Sequence, residues 1–180
     1  QWIAATLAVS IIAALDGGRF YSWFSLVPAK VWHGQLWRLV TWPLVETRPL
    51  RLVFACAAIY TFGSQLAIRW GDRRLRRFML EVVVIAGVAT TLVATVAGRS
   101  YLRYVGTLAA DTSLLIAWSR QFPDAPISYR GVISLHGRDL TLFLLGVIVL
   151  LAIYIGPIAM IPEVVACVVA AKYPQSLLRR

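Results

Sequence analysis

Six apolar segments run along the 180-residue chain, and their lengths constrain the fold more than any other feature. They cover residues 3–15, 52–68, 79–97, 104–118, 140–155 and 157–171. A helix that crosses a bilayer needs about 20 mostly apolar residues, with about 17 as the lower limit. Several of the segments are shorter, so we expect a thinned bilayer or helices that start at mid-depth. The pattern predicts an all-α, polytopic membrane protein with six transmembrane helices.

The composition fits a membrane-embedded chain better than a soluble domain. Hydrophobic residues make up 59% of the sequence, charged residues make up 14%, and the mean hydropathy is +0.73. A soluble domain carries about 25% charged residues, so a soluble all-α protein with a basic face is the disfavoured alternative. Segment 3–15 has the length of a signal-peptide core, but the five apolar segments after it favour a first span.

The basic residues are placed as the positive-inside rule requires for six spans. Between the second and third segments lies RWGDRRLRR (69–77), with five arginines and one aspartate. Further basic residues follow the fourth and sixth segments: Arg120, Arg130, Arg138, Lys172, Arg179 and Arg180. We therefore predict that both termini and both basic loops face the cytoplasm.

This topology accounts for the net charge of +10. No basic stripe lies outside the membrane-adjacent loops, so the expected partner of the arginine cluster is the lipid bilayer and not nucleic acid. A composition rich in arginine, alanine and valine is typical of a GC-rich genome, from which we expect a bacterial inner-membrane protein. Cys56 and Cys167 both lie in apolar runs, so neither a disulfide framework nor a metal site is predicted.

The first connection, 16–46, is long and rich in aromatic residues. It contains four of the seven tryptophans, namely Trp23, Trp32, Trp37 and Trp42. Such side chains anchor at the boundary between membrane and water. We therefore predict an interfacial loop that lies in the outer leaflet. His33 in this loop is either a haem or pigment ligand or, as is commoner for a lone histidine, a hydrogen-bonding residue.

Three stretches, taken in order, resemble the rhomboid-like superfamily. WHGQLWRLVTWPLVE (32–46) resembles the Trp-Arg motif of its first loop, here Trp37 and Arg38. LVFACAAIYTFGSQLAIRWGDRRLRRFMLEVV (52–83) resembles its second span and the cytoplasmic turn after it. WSRQFPDAP (118–126) resembles the end of its fourth span and is similar to the WSR..P of derlins. The resemblance implies a rhomboid-like bundle that forms a single domain over residues 1–180.

The resemblance also implies where a protease active site would lie. Rhomboid proteases use a serine at the start of the fourth helix and a histidine on the sixth, with neighbouring donors for the oxyanion. Here the serine position is Leu108, and the second-helix histidine and asparagine positions are Arg51 and Ala55. The sixth-helix histidine position is Glu163 in one alignment and Ile161 in another. The resemblance therefore implies a catalytically inactive rhomboid pseudoprotease.

Two acidic residues, Asp111 and Glu163, stand in apolar segments. A charge at the centre of a membrane helix costs about 2.5–3.5 kcal/mol on insertion scales, so both are candidate buried polar residues. Asp111 either hydrogen-bonds hydroxyl or tryptophan N–H groups inside the bundle or lines, with Glu163, a polar cavity where the active site stood. Ser113 is a displaced nucleophile only if a base accompanies it, and neither histidine is placed to do so.

These observations predict a non-catalytic, rhomboid-like integral membrane protein without a cofactor. It would bind the transmembrane helices of other integral membrane proteins, as a scaffold or as an accessory subunit of a larger complex. One alternative is derlin-like membrane-protein quality control, which shares the fold and adds a recruited soluble machine. The other alternative is a rhomboid intramembrane serine protease whose active site lies elsewhere than the resemblance places it.

Overall fold

The computed structural model describes residues 2–16, 19–129 and 133–173, which form ten α-helices and one two-stranded hairpin. The helices are α1 (Trp2–Leu15), α2 (Arg19–Phe24), α3 (Pro28–Trp32), α4 (Arg38–Thr41), α5 (Pro49–Ala58), α6 (Ser64–Trp70), α7 (Asp72–Val96), α8 (Leu108–Gln121), α9 (Gly137–Ile155) and α10 (Ile161–Lys172). The strands are β1 (Pro126–Tyr129) and β2 (Ile133–His136). Arg130, Arg179 and Arg180, on which the predicted topology partly rests, lie outside the described residues.

Short irregular turns join several of these helices. The 3₁₀ turns Trp42–Leu44 and Pro157–Met160 precede α5 and α10. A π-helical turn, Ile59–Gly63, joins α5 to α6, so that Pro49–Trp70 is one continuous helix of 22 residues. That helix ends at Gly71, whose φ of +85° is readily adopted only by glycine and allows the chain to turn directly into α7.

Three of the described helices are long and apolar enough to cross a bilayer. They are Pro49–Trp70, Asp72–Val96 and Gly137–Ile155, with 22, 25 and 19 residues. By contrast, α1, α8 and α10 have 14, 14 and 12 residues. At 1.5 Å per residue these helices reach only about 18–21 Å, against about 30 Å of hydrocarbon. The structure therefore supports three candidate spans, and the prediction of six spans is not supported.

Each predicted apolar segment nevertheless contains a helix, with shifted boundaries. The segments 3–15, 52–68, 79–97, 104–118, 140–155 and 157–171 correspond to α1, α5–α6, α7, α8, α9 and α10. Helix α7 begins seven residues before the prediction because its basic first turns stay helical with exposed side chains. Helix α8 begins four residues late because Tyr104 pairs with Leu26 in a β-bridge, with N–H to carbonyl distances of 2.9 Å in both directions.

The connection between α8 and α9 contains the short hairpin, which the all-α prediction missed. Strands β1 and β2 pair in antiparallel register, with Pro126 opposite His136. Their sequences, PISY and ISLH, flank the three residues Arg-Gly-Val, and strand-forming runs on either side of a short glycine-containing stretch are a hairpin signal. The rest of the described chain is helical or irregular, so the helical bundle remains the body of the fold.

Helix α8 is the central helix of the bundle. Ten of its 14 residues are buried, and it packs against α7, α9, α10 and the π-helical turn. Small side chains make this close approach possible, among them Ala166 and Ala170 on the facing side of α10, which are almost completely buried. Helix α9 lies at the periphery, since only Gly137 and Ile148 of its residues are buried. A short helix surrounded by longer ones is therefore the core of this fold.

The predicted interfacial loop 16–46 is largely folded into the short helices α2, α3 and α4. Helices α3 and α4 pack on α7. The Leu39 backbone of α4 lies close to Gly87 of α7, since a Cβ atom added to Gly87 would be 3.1 Å from the Leu39 carbonyl oxygen. Trp32 adds a polar contact, its indole N–H donating to Thr95 Oγ1 at 3.0 Å. This region is thus held against the bundle, and its position in the outer leaflet stays a prediction.

Candidate functional site

Three helix N-termini converge at one end of the bundle, and an acidic residue accompanies each. Asp111 lies in the first turn of α8 and Glu163 in the first turn of α10, while Glu46 stands three residues before α5. Helix α8 packs against both α5 and α10, which brings these turns together. The positive end of a helix dipole stabilises a nearby carboxylate. We name Glu46, Asp111, Glu163 and Arg51 the acidic cluster.

Asp111 is buried without a complete set of hydrogen bonds. Asp111 is 9% exposed, and its Oδ1 has no hydrogen-bond partner among the described residues. The Thr107 hydroxyl lies beside the carboxyl and interacts with it, although its buried Oγ1 makes no hydrogen bond of ordinary geometry to the described residues. Glu46 and Arg51 are close enough to act on Asp111 electrostatically. An unsatisfied buried polar group costs about 1–3 kcal/mol, and more if charged, so this arrangement needs an explanation.

Glu46 is the best-anchored carboxylate of the cluster. Its Oε1 accepts hydrogen bonds from the backbone N–H groups of Thr47 and Arg48, at 3.0 and 3.3 Å. Its own backbone N–H donates to Ser10 Oγ at 3.1 Å, which ties this segment to α1. The second oxygen, Oε2, is buried without a hydrogen bond from the described residues. It lies against Gly106, where an added Cβ would be 3.3 Å from it.

Glu163 is buried where α10 begins. The residue is 6% exposed, and its Oε2 has no hydrogen-bond partner in the described part of the chain. Tyr104 is close enough to interact with the Glu163 charge, but its hydroxyl donates to the Ile158 carbonyl oxygen at 3.3 Å. The phenol is therefore used to hold the turn before α10 and does not satisfy the carboxylate.

Arg51 is the cationic centre of the cluster. Its Nε lies 3.8 Å from Glu46 Oε2, and its charge also acts on Asp111 and Glu163. The Arg51 side chain is 38% exposed, whereas that of Glu46 is 3% exposed. One partly exposed guanidinium thus serves three buried carboxyls, which leaves the cluster with an excess of acidic groups.

An open cleft of about 360 Å³ adjoins this cluster. Its walls come from α1, α2 and the start of α5, and they include Ile11, Tyr21 and Leu52. Ser10, Glu46 and Thr47 also line it, so Glu46 belongs both to the cleft and to the acidic cluster. The cleft therefore combines a mostly apolar surface with one buried acid.

The structure places the other predicted positions around the same end of the bundle. Leu108 is the first residue of α8 and is partly buried, while Ala55 is buried one turn beyond Arg51 on α5. Ser113 is fully buried, and its hydroxyl donates to the Ala110 carbonyl oxygen of the same helix at 2.7 Å. His33 is exposed beyond the end of α3. No group of three or more histidine, cysteine or acidic side chains in the described ranges is arranged to hold a metal ion.

Arg38 organises the folded region before the cluster. The residue is 2% exposed, and its guanidinium donates to the carbonyl oxygens of Ser22 and Ser25 at 2.7 and 2.6 Å and to Gln35 Oε1 at 2.7 Å. Burial and the nearby Arg103 lower the pKa of Arg38 from its usual value. Trp37 stacks on Trp23 with ring centroids 6.3 Å apart. The Trp-Arg pair thus joins α2 to α4.

The chain matches a known family along nearly its whole length. Residues 2–175 match the model of a family described as eukaryotic integral membrane protein, DUF1751. The chain belongs to this family. No curated protein matches it.

Membership of the DUF1751 family corrects the predicted location. The protein is a eukaryotic integral membrane protein, so the expectation of a bacterial inner membrane is wrong, while the expectation of membrane integration agrees with the family. The wrong expectation rested on an arginine-, alanine- and valine-rich composition. That composition reflects codon content, which does not separate a bacterium from a GC-rich eukaryote.

Sequence reasoning missed Glu46 as a member of the site. Glu46 is the last residue of the predicted loop. It contacts Ser10 and Gly106, which are 36 and 60 residues away in the sequence, so no local pattern predicts its burial. One signal was present. Glu46 precedes Pro49, and a proline in the first turn of a helix with an acid just before it is typical of a helix start. That signal points to a carboxylate at the start of α5, and the N–H groups that hold it belong to Thr47 and Arg48, just before the helix.

Proposed function

We propose that this protein is a non-catalytic, rhomboid-like membrane protein that binds a transmembrane helix of a partner, as a scaffold or accessory subunit of a larger membrane complex. The observation that carries the proposal is the cleft between α1, α2 and α5, which is mostly apolar and has the acidic residue Glu46 in its lining. An apolar surface with few well-placed polar groups is the usual form of a binding site.

The rhomboid-like part of the proposal draws support from the arrangement of the predicted positions. Leu108 lies on the first turn of α8, and Arg51 and Ala55 lie on the first two turns of the neighbouring α5, as the resemblance requires of an active site that has been lost. Glu163 stands on the adjacent α10. The short, central α8 is compatible with the same fold, since the resembled proteases carry their serine at the start of the fourth helix.

The non-catalytic part of the proposal draws support from the hydrogen bonds of the serine that remains. A serine nucleophile needs an adjacent base. Ser113 Oγ is engaged with its own helix at Ala110, and His136 lies at the start of α9, where it pairs with Asp139. An oxyanion site also needs preorganised donors, and Ala55 has none to offer from its side chain.

Site-directed photo-crosslinking in the native membrane tests the proposal. A photoreactive residue at Leu52, which lines the cleft, is expected to crosslink discrete integral membrane proteins. The matched control is the same residue at Leu142 on α9, which is 70% exposed on the peripheral helix. Protein crosslinks of equal yield and identity at both positions would show that the cleft has no binding role. Cleavage of a crosslinked partner that stops in Ser113→Ala would restore the protease alternative.

A further inference from the structure

The acidic cluster contains more acidic groups than it neutralises internally. Three carboxyls, on Glu46, Asp111 and Glu163, share the single guanidinium of Arg51. Only the Glu46 carboxylate lies within ion-pair distance of that guanidinium, at 3.8 Å. The charge balance of this buried site is therefore completed by a cation, by protons, or by both.

Three buried oxygen atoms of the cluster also lack a hydrogen-bond donor. Glu46 Oε2, Asp111 Oδ1 and Glu163 Oε2 have no hydrogen-bond partner among the residues that the structure describes. Asp111 and Glu163 are more than nine-tenths buried, so bulk water does not readily supply the missing donors. An ammonium group brings three N–H donors and a guanidinium brings five. One such group beside Glu46 and Asp111 would supply a positive charge and donors for the unpaired oxygens of these two acids.

The cleft determines what kind of molecule carries that group. Glu46 lies at the junction of cleft and cluster, and the walls leading to it from α1 and α5 are apolar, with Ile11 and Leu52 among them. A long basic side chain has an apolar stem and a charged end. The stem would lie against the apolar walls, and the charged end would lie near Glu46. A metal ion fits less well, because the described acidic, histidine and cysteine side chains form no group of three that would hold one.

We propose that the cleft receives a partner transmembrane helix that carries a lysine or arginine, whose charged end pairs with Glu46 and Asp111 of the acidic cluster. This inference rests on the proposed function and adds to it the chemistry of the partner. Charge complementarity selects the partner: a helix with a neutral residue at the same depth leaves the carboxyl oxygens unpaired, and a helix with an acidic residue adds repulsion.

The test uses the full chain in proteoliposomes with synthetic guest helices. Each guest is a polyleucine helix with one variable residue near the end that reaches the depth of Glu46, either lysine, leucine or glutamate, and one cysteine near it. A cysteine introduced by Leu52→Cys reports binding through a disulfide, with Cys56 and Cys167 replaced by alanine. The lysine guest is expected to crosslink about tenfold more than the leucine guest, the factor expected from one charge-assisted hydrogen bond. The glutamate guest is expected to crosslink least.

Neutral, nearly isosteric variants then identify the acids responsible. Glu46→Gln and Asp111→Asn are each expected to remove most of the lysine preference, while Asp124→Asn, which neutralises an exposed acid at the far end of α8, leaves it unchanged. Equal crosslinking of the lysine and leucine guests to the unmodified cleft would overturn the charge inference and leave helix binding standing. A lysine preference that survives both acid variants would also overturn it. Crosslinking of no guest at all would count against the proposed function itself.

Discussion

The two ends of α8 treat their buried polar groups in opposite ways. At the C-terminal end, the Trp118 indole donates to Gln65 Oε1 at 2.9 Å, Ser119 shares a hydrogen bond with Thr141, and Arg120 donates to two carbonyl oxygens at the end of α10. At the N-terminal end, Thr107 Oγ1 and Asp111 Oδ1 are buried without a partner among the described residues. We call the C-terminal end of α8, where these buried polar groups are hydrogen-bonded, the satisfied end. The N-terminal end, where Thr107 Oγ1 and Asp111 Oδ1 lack partners among the described residues, is the unsatisfied end.

The difference separates architecture from function. Most buried polar groups in native proteins are hydrogen-bonded, so the contacts of Trp118, Ser119 and Arg120 are what any stable bundle requires. The unpaired atoms around Asp111 are the exception, and exceptions of this kind concentrate where something binds or reacts. If this distinction is correct, substitutions at satisfied groups will cost stability, and substitutions at unsatisfied groups will cost binding.

The largest loss of stability is expected at Arg38, a buried charge whose donors are used. Arg38→Ala removes two hydrogen bonds to backbone carbonyls and one to Gln35, and each charge-assisted bond is worth about 1.5–3 kcal/mol. We expect the free energy of unfolding to fall by at least about 3 kcal/mol, measured by tryptophan fluorescence during SDS titration in mixed micelles. Arg99→Ala, at an exposed arginine, is the control. Equal stability of the two variants would mean that the contacts of Arg38 are not structural.

Arg120→Met tests the satisfied end of α8 itself. The substitution retains an apolar stem but removes the donors to the Ala170 and Tyr173 carbonyl oxygens, which are at 2.9 and 3.2 Å. We expect a loss of about 2–3 kcal/mol, because the last carbonyls of α10 lose a cationic partner. Hydrogen exchange should rise in the last turn of α10. Unchanged exchange there would show that another group caps this helix.

These satisfied contacts also show how far the sequence predicts the fold. The long helices were predicted because a long apolar run is visible in the local sequence without knowledge of tertiary contacts. They are Pro49–Trp70, Asp72–Val96 and Gly137–Ile155. The helices α2 to α4 were not, because each is four to six residues long and is held by contacts such as those of Arg38, which no local pattern reveals. Short helices are marginal alone and depend on tertiary packing.

The candidate site was predictable only in part for the same reason. Asp111 and Glu163 stood out because charges in apolar segments are costly wherever the chain folds. Arg51 was identified only as a position in a resemblance, and its pairing with Glu46, five residues away, depends on how the turn before α5 folds. Only three of the six predicted spans are supported, because hydropathy does not distinguish a helix buried in protein, such as α8, from one that crosses lipid.

A smaller loss of stability is expected at Tyr173, which fixes the end of α10 to α7. Its hydroxyl donates to Glu81 Oε2 at 2.7 Å, and burial together with this hydrogen bond raises the pKa of Tyr173 to about 12. The phenol therefore remains a donor at physiological pH. Tyr173→Phe should cost about 1 kcal/mol. Because the folded pKa lies above the ordinary value near 10, this contribution should be complete below pH 10 and disappear as the pH rises through 12. A difference in the free energy of unfolding between Tyr173→Phe and the unmodified protein that does not change with pH would contradict this expectation.

Asp111→Asn is expected to have the opposite sign. The carboxyl lacks a donor at Oδ1, so a neutral side chain of the same shape should leave stability unchanged or raise it by up to about 1 kcal/mol. The same variant should recover less of any bound partner complex in mild detergent. A loss of stability as large as that of Arg120→Met would make Asp111 a structural residue and remove the contrast between the two ends of α8.

The smallest effect is expected for Leu108→Ser, which restores the side chain that the resemblance assigns to the nucleophile. Leu108 is the partly buried first residue of α8, so the substitution should change stability little, and we expect no cleavage of a model transmembrane substrate. A hydroxyl is a poor nucleophile without a base to take its proton. One alignment places Glu163 of α10 at the histidine position of the resembled proteases, so adding Glu163→His to Leu108→Ser supplies the missing base. If the double variant cleaves and the single variant does not, the unsatisfied end of α8 is a former active site whose geometry has been kept. If neither variant cleaves, the acidic residues around Arg51 have changed the site so much that two substitutions do not restore catalysis. That result is expected of a surface that now binds a partner.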